Sequence, residues 1–462
     1  MSDKSETIAG SETRSRWTPR RVSLMLLVVV ATVLIGFAFT RNLIDFPVYY
    51  AAGQSLLQGR TDLYSPDFAR GPVMDYRYPP LFLVALLPLW MLPYSIAAYL
   101  WYLASIVEIA GCVWVVSRLV DGTGSRLKIL IISTLIVAQY FVMILHYGNA
   151  HLLAVFLMFA SVYMIFTERN FAAALLMSLS ITIKLVPILL LPYFALKRKW
   201  SFLAMVGLLL VGLNLAPAAY FGFERNIDLL KSWALHVVAE PEFHEANGPI
   251  DLSLKGGLRR YFSQVDYSQR IDGDLRYPSV NLVALSSNRV AQIWMALAGI
   301  SFVSGLVVIW RRSRNTRNAA TRQPPRVKDD GDPDSGRNFG LQPLEVGLMI
   351  CLMLLVGPLT SKIYFIALLW PVVCLAGFAF ANDSAAARFG RWALVVVAVT
   401  NSVLPLLPGR STQRLLLVLG VDLFVNVLLT LAVGFVLLSS NLIPGSRSGA
   451  QRREVLSGAR TS

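Results

Sequence analysis

Apolar runs of about 15–25 residues recur along this chain, the length a helix needs to span the hydrocarbon core of a bilayer. They fall at 22–40, 79–92, 94–117, 128–145, 148–167, 171–195, 201–221, 290–310, 343–358, 362–381, 392–408 and 412–438. An even count of about twelve helices places both termini on one side of the membrane. The two longest polar stretches between runs, 42–78 and 222–289, then share the opposite side. The expected fold class is an all-α polytopic membrane protein with two large extracytoplasmic loops. The first run follows a polar start and lacks a small-residue cleavage site, so it is expected to stay as a helix.

Composition agrees with this reading. The 462 residues are 55% hydrophobic and 15% charged, against about 25% charged in a soluble protein. The formal charge of +15 sits in clusters: Arg14, Arg16, Arg20 and Arg21; Lys197-Arg198-Lys199; Arg311, Arg312 and Arg314; Arg447, Arg452 and Arg453. Each cluster flanks an apolar run, so it reads as cytoplasmic topology and attraction to anionic lipid. No nucleic-acid partner is expected. One loop, with Arg118, Arg126 and Lys128, falls on the outer side by this count, against the positive-inside rule. Cys112, Cys351 and Cys374 lie singly inside apolar runs and suit small core residues better than a disulfide or zinc framework.

Organisation follows the runs. Residues 1–21 form a cytoplasmic tail and 22–310 a transmembrane module carrying both outer loops. The segment 311–342 mixes charges with Pro324-Pro325 and reads as a flexible cytoplasmic linker. Residues 343–438 hold further helices, and 439–462 a second cytoplasmic tail. No internal repeat is visible.

The candidate chemistry gathers just after the first run. There Asp45, Tyr49, Tyr50, Tyr64, Tyr76 and Tyr78 stand beside Pro79-Pro80. Asp45 before Phe-Pro is a good helix cap; it is also a candidate general base for an acceptor hydroxyl. The tyrosines suit either an interfacial aromatic belt or the walls of a sugar site. Lys184 lies inside an apolar run three residues before Pro187. An intramembrane lysine is a functional candidate by default, although snorkelling to the cytoplasmic face explains it equally. Lys362, at the outer start of a run, and Arg259, in the second outer loop, are further candidate cations. His146 and His151 are too poor in nearby acids to make a metal site. The Glu240–Glu245 cluster reads as a solvated loop rather than a divalent-cation site, and no metal or other cofactor is expected. Gly-rich phosphate loops and Ser-His-Asp patterns are absent from the sequence.

In order along the chain, Asp45-x-x-x-Tyr49-Tyr50-x-Ala-Gly53, Leu-x-x-Gly59-x-x-x-Leu-Tyr64 and Tyr76-x-Tyr78-Pro79-Pro80-Leu resemble the opening signature of glycosyltransferase family 87. Further agreement comes from His146-Tyr-Gly148-Asn149, Ile183-Lys184-x-x-Pro187, Asp251-Leu-Ser253-Leu and Gly357-Pro358-x-Thr360-Ser-Lys362-Ile-Tyr364. Asn149 stands where that family carries Gln, and Asp251 where it carries Asn. Lys362 and Tyr364 stand where its mannosyltransferases often carry an acid and histidines.

The resemblance implies a GT-C-type fold and a sugar donor linked to polyprenyl phosphate. It implies transfer of a hexose, mannose first, to a glycolipid or cell-envelope glycan outside the cytoplasm, with inversion. Asp45 would be the catalytic base. Lys362, Arg259 and Lys184 would hold the donor phosphate, and Tyr49, Tyr64, Tyr78, Asn149 and Tyr364 the sugar or acceptor. One carboxylate suffices for such a donor: a hydrolase needs a second one as acid for a poor leaving group, whereas phosphate departs as a stabilised anion and needs cations. The rival reading is a transporter or flippase of lipid-linked sugars without transferase chemistry, and a polymer ligase is a third.

Overall fold

The computed structural model describes residues 43–64, 76–120, 125–238, 251–263, 277–322 and 341–439, with 35, 36 and 40. Most of the first apolar run, the Glu240–Glu245 cluster, the segment 323–340 and both tails lie outside the described residues.

Among the described residues the architecture is all-helical, with one isolated bridge between Ser263 and Leu285. Seven helices are long and apolar enough to cross a membrane. They are α4 (Tyr94–Ser117), α5 (Arg126–Tyr147), α9 (Trp200–Phe221), α12 (Ser287–Arg322), α14 (Lys362–Ala381), α15 (Ala385–Val403) and α17 (Val421–Ser439). Shorter apolar helices complete the bundle: α6 (His151–Phe166), α7 (Asn170–Ile183), α8 (Val186–Leu196) and α13 (Gln342–Val356). Around them lie α1 (Phe46–Leu57), α2 (Pro80–Ala85), α3 (Leu87–Trp90), the amphipathic α10 (Phe223–Trp233), α11 (Leu254–Phe262) and α16 (Arg410–Leu419). This is the fold of a polytopic membrane protein.

The core centres on α13, whose residues Pro343 to Leu355 are all buried. A helix apolar on every side is stable only when neighbours or lipid cover it all round. Here α12, α14 and α17 do so. Large apolar side chains on the outer helices, such as Leu208 and Val211 of α9, are exposed instead, as a lipid-facing surface requires.

Charged groups mark one end of the bundle. Glu345, buried at the start of α13, meets Lys197 Nζ at 2.6 Å and Arg312 Nε at 3.0 Å. The indole of Trp370 donates to the Pro343 carbonyl at 2.9 Å, and Phe166 packs near the same ring. The α4–α5 turn lies at this end too: Val120 packs against Gly377 near the end of α14, and Arg126 donates to Ser117 Oγ at 2.9 Å.

Two departures from the hydropathy reading change the path of the chain. Residues 79–92 do not form one long helix. The run is interrupted at Leu86, just before Pro88, into α2 and α3, which fold back onto α1. There Gln54 Nε2 donates to the Trp90 carbonyl at 2.5 Å and Tyr50 donates to the Leu92 carbonyl at 2.8 Å. The run 171–195, conversely, is two helices. Lys184 adopts an extended backbone (φ −141°, ψ 125°), and a 3-10 turn starts at Val186 because Pro187 cannot continue an α-helical ladder. The chain thus doubles back at Lys184, which lies with Tyr364, while Lys197 after α8 lies with Glu345. The turn at 146–151 meets Asp45, through the Tyr147 carbonyl and the Asn149 amide. The described flanks of the α4–α5 connection, up to Val120 and from Arg126, lie at the end that carries Lys197 and Arg312. In addition, α12 runs on to Arg322, so the start of the expected linker is helical.

Candidate active site

Asp45 occupies the position before the first residue of α1, yet its side chain caps no backbone amide of that helix. Its backbone is tied elsewhere: Asp45 N donates to the Tyr147 carbonyl at 2.9 Å, the last residue of α5. Gly148 then takes a left-handed conformation (φ 64°) that ends α5 and turns the chain into α6. The turn is pinned by Trp101, whose Nε1 donates to the Gly148 carbonyl at 2.9 Å. It delivers Asn149 to the carboxylate, with Nδ2 2.8 Å from Asp45 Oδ2.

The remaining contacts radiate from Asn149. Its Oδ1 accepts from His151 N at 2.7 Å and from Tyr78 OH at 3.4 Å. Tyr78 and Tyr49 share a hydroxyl–hydroxyl hydrogen bond of 2.8 Å, and Tyr49 OH accepts from Ala150 N at 3.4 Å. Lys184 Nζ lies 4.6 Å from the centre of the Tyr78 ring and donates to Tyr364 OH at 3.4 Å. The Tyr364 ring in turn stacks on His151, centroids 4.0 Å apart. Aromatic faces offset part of the cost of a half-buried ammonium by about 2 kcal/mol when it is desolvated.

Burial lifts the Asp45 carboxyl above its ordinary range, while the Asn149 hydrogen bond and the Lys184 charge pull it back. The Tyr49 and Tyr78 phenols are raised, chiefly by burial, so they stay protonated and serve as hydrogen-bond groups. A carboxylate held this way can accept a proton; an ammonium one tyrosine ring away can receive an anion.

Of the residues expected from the sequence, Asp45, Tyr49, Tyr78, Asn149, Lys184 and Tyr364 are brought together. Tyr64 stands one layer back, donating to the Tyr78 carbonyl at 2.9 Å and stacking on Tyr76. Lys362 points elsewhere: its Nζ is 3.7 Å from Asp422 Oδ2. Arg259 is half-buried on α11, beside the fully buried Arg260, whose guanidinium is anchored on the Asp251 carbonyl. The Asp251 loop is itself clamped to the 357–361 turn, since Asp251 Oδ1 accepts from Thr360 N at 3.0 Å and Ser253 N at 2.9 Å. His151 is the member that sequence reasoning passed over. Its stacking partner, Tyr364, lies more than two hundred residues along the chain, beyond the reach of any local motif. Among the described residues no group of His, Cys, Asp and Glu could hold a metal ion.

The sequence model of glycosyltransferase family 87 matches residues 76–323, more than half of the chain. The chain belongs to glycosyltransferase family 87. The matched segment takes in Tyr78, Asn149, Lys184 and Arg259, while Asp45, Tyr49, Tyr64, Lys362 and Tyr364 lie outside it. Two curated relatives are both described as polyprenol-phosphate-mannose-dependent alpha-(1-2)-phosphatidylinositol pentamannoside mannosyltransferases. The one from Mycolicibacterium smegmatis is 29% identical over 199 residues, covering 40% of this chain and 46% of the relative. The one from Mycobacterium tuberculosis is 26% identical over 313 residues, covering 63% of this chain and 66% of the relative. The chain thus spans about half of the first and just under two thirds of the second. Among solved structures, ArnT from Cupriavidus metallidurans bound to undecaprenyl phosphate aligns with 91% of this chain and 77% of its own. That alignment has 14% identity and a TM-score of 0.37.

Proposed function

We propose that this family 87 glycosyltransferase moves a hexose, mannose in the first instance, from polyprenyl phosphate to a glycolipid or cell-envelope glycan, with inversion. The observation that carries this reading is a buried carboxylate, Asp45, joined through Asn149 to Tyr78, whose ring lies 4.6 Å from the Lys184 ammonium. Asp45 takes the proton of the acceptor hydroxyl as that oxygen bonds to the anomeric carbon. The bond from that carbon to the phosphate oxygen breaks, and polyprenyl phosphate leaves with the electron pair. Lys184 offsets the charge developing on the phosphate, and a preorganised cation in a water-poor site is worth far more there than in water. Base on one face and leaving group on the other give inversion. The Tyr49–Tyr78 pair and Tyr364 orient sugar hydroxyls.

The site faces away from the cytoplasm in this proposal. Short turns at the Glu345 end carry Arg118, Arg126, Lys128, Arg169, Lys197, Arg198 and Lys199, and the positive-inside rule assigns such turns to the cytoplasm. Asp45 lies at the other end.

The test is an incubation of membranes with radiolabelled polyprenyl-phosphate mannose and phosphatidylinositol mannosides. Transfer that is present in the wild type and lost in Asp45→Asn supports the reading. Equal product from both removes Asp45 as the base. No product from either, together with movement of the labelled lipid across vesicles, moves the chain to the transporter class.

A further inference from the structure

A cavity of mixed polar and apolar lining lies near this cluster, and Lys362 belongs to it. It encloses about 220 Å³ between α5, the start of α14, the end of α15, α16 and the start of α17, and Gln139, Thr400, Asn401, Gln413, Lys362 and Asp422 supply its polar lining. We infer that this cavity binds a neutral polyhydroxylated group, the sugar of the acceptor. Naming that sugar as the acceptor's rests on the glycosyltransfer reading above; the binding itself does not.

The chemistry argues for hydroxyls over ions. Asp422 is buried, and its Oδ1 is engaged by Tyr140 OH at 2.8 Å. Its Oδ2 faces Lys362 Nζ at 3.7 Å, beyond hydrogen-bond distance. The two charges cancel, so the cavity attracts neither a phosphate nor a free cation strongly. Yet each keeps capacity for a further hydrogen bond, and a hydroxyl between them would donate to the carboxylate while accepting from the ammonium.

The amides are held in place to extend this pattern. Asn401 donates to the Ile136 carbonyl at 3.1 Å and accepts from Tyr140 OH at 3.3 Å. Gln413 Nε2 is turned onto the carbonyls of Leu404, Pro405 and Leu407 at 3.2, 3.2 and 2.8 Å, which leaves its Oε1 to accept from a ligand. Leu416, Leu417 and Val421 supply an apolar wall for the C–H face of a ring. Fixed polar groups beside an apolar wall are the usual make-up of a small-ligand pocket.

Position ties the cavity to the Asp45 cluster. Lys362 and Tyr364 are two residues apart on one 3-10 turn, the first in the cavity and the second bonded to Lys184. Met143 lines the cavity one turn before Tyr147, whose carbonyl holds Asp45 N. The end of α5 therefore borders both.

The experiment uses the full chain in nanodiscs and a methyl α-mannoside bearing a photoactivatable diazirine, with labelled peptides mapped by mass spectrometry. Label is expected on the segment 410–422, competed by excess methyl α-mannoside and not by glycerol phosphate. Asp422→Asn and Gln413→Leu should each cut that label about tenfold, the ratio for losing one charge-assisted or well-oriented hydrogen bond. Asp45→Asn should leave it unchanged. Absence of label from 410–422, competition by glycerol phosphate, or full labelling of a folded Gln413→Leu variant would each overturn the inference. Because no transfer is needed, loss of the glycosyltransfer reading would leave this result standing.

Discussion

Asn149 reaches Asp45 across 104 residues of sequence, and its amide nitrogen lies 2.8 Å from the carboxylate oxygen. The amide can only donate from that atom, so it stabilises the ionised acid against the burial that raises it. Replacing Asn149 with Leu keeps the volume and removes the donor. The expected outcome is that the acid limb of the kcat/KM profile moves to higher pH, because a less stabilised base is protonated sooner. A profile unchanged in Asn149→Leu would separate the amide from the base.

Asp45→Asn should separate activity from stability. Transfer is expected to fall by about 10²–10⁴-fold, the usual contribution of a general base. The asparagine keeps an oxygen to accept from Asn149, so the fold should persist. The folded-state carboxyl is raised above its ordinary 3.8. Its contribution to stability is therefore full below that value and lost as pH rises through the folded value. At neutral pH the variant should melt no lower than the wild type, and the wild type should gain on it as the medium is acidified. Thermal unfolding of the purified proteins across pH reads this directly.

The fold class was legible because apolar runs of bilayer length are a coarse signal that survives averaging. What averaging hid was where the runs break. A hydropathy window treats Lys184 as one polar residue among many apolar ones, and the break lies in its extended backbone before Pro187. At 79–92 the opposite happened: enough apolar residues for a span are spent on two short helices around Trp90, which is fully buried. Where the runs break decides which turns meet, and the contact between Asp45 and the Asn149 turn depends on it. The sequence did hold the corrective clue, since Arg118, Arg126 and Lys128 broke the positive-inside rule by that count. The motifs named Tyr49, Tyr78, Asn149, Lys184 and Tyr364 beside Asp45, whereas Tyr64 stands one layer back, Arg259 sits on α11 and Lys362 turns to Asp422. A 3-10 turn sends residues two apart in different directions, and no spacing in the sequence reveals which of Lys362 and Tyr364 faces Lys184.

Those two lysines should therefore behave differently. Lys184→Met removes the ammonium beside Tyr78 and Tyr364 and is expected to cost about 10²–10³-fold in transfer, as loss of a charge-stabilising group does. It should also raise the acid limb, because Lys184 helps keep Asp45 ionised. Lys362→Met, whose partner is Asp422, should leave the KM for the lipid-linked donor close to wild type. Steady-state kinetics with donor and acceptor varied separately make the comparison, and equal donor defects would return Lys362 to the phosphate.

At the far end of the bundle, Glu345 should govern stability without touching chemistry. It is 1% exposed and serves two cations, Lys197 at 2.6 Å and Arg312 at 3.0 Å, while Tyr193 OH donates to it at 3.3 Å. Removing the acid leaves two cations and a phenol facing one another in a poorly solvated place. Breaking one side of a buried ion pair costs about 3–5 kcal/mol, so Glu345→Ala should lower the thermal unfolding midpoint markedly. Glu345→Gln keeps the size and one acceptor oxygen and should recover part of the loss. Because α8, α12 and α13 meet at this carboxylate, the loss should show as earlier unfolding of the whole bundle. The KM for donor and acceptor, read at a temperature where the variant is folded, should stay at its wild-type value, since Asp45 and Lys184 lie at the opposite end. A variant with an unchanged melting point would mean that lipid and water already supply what Glu345 supplies here.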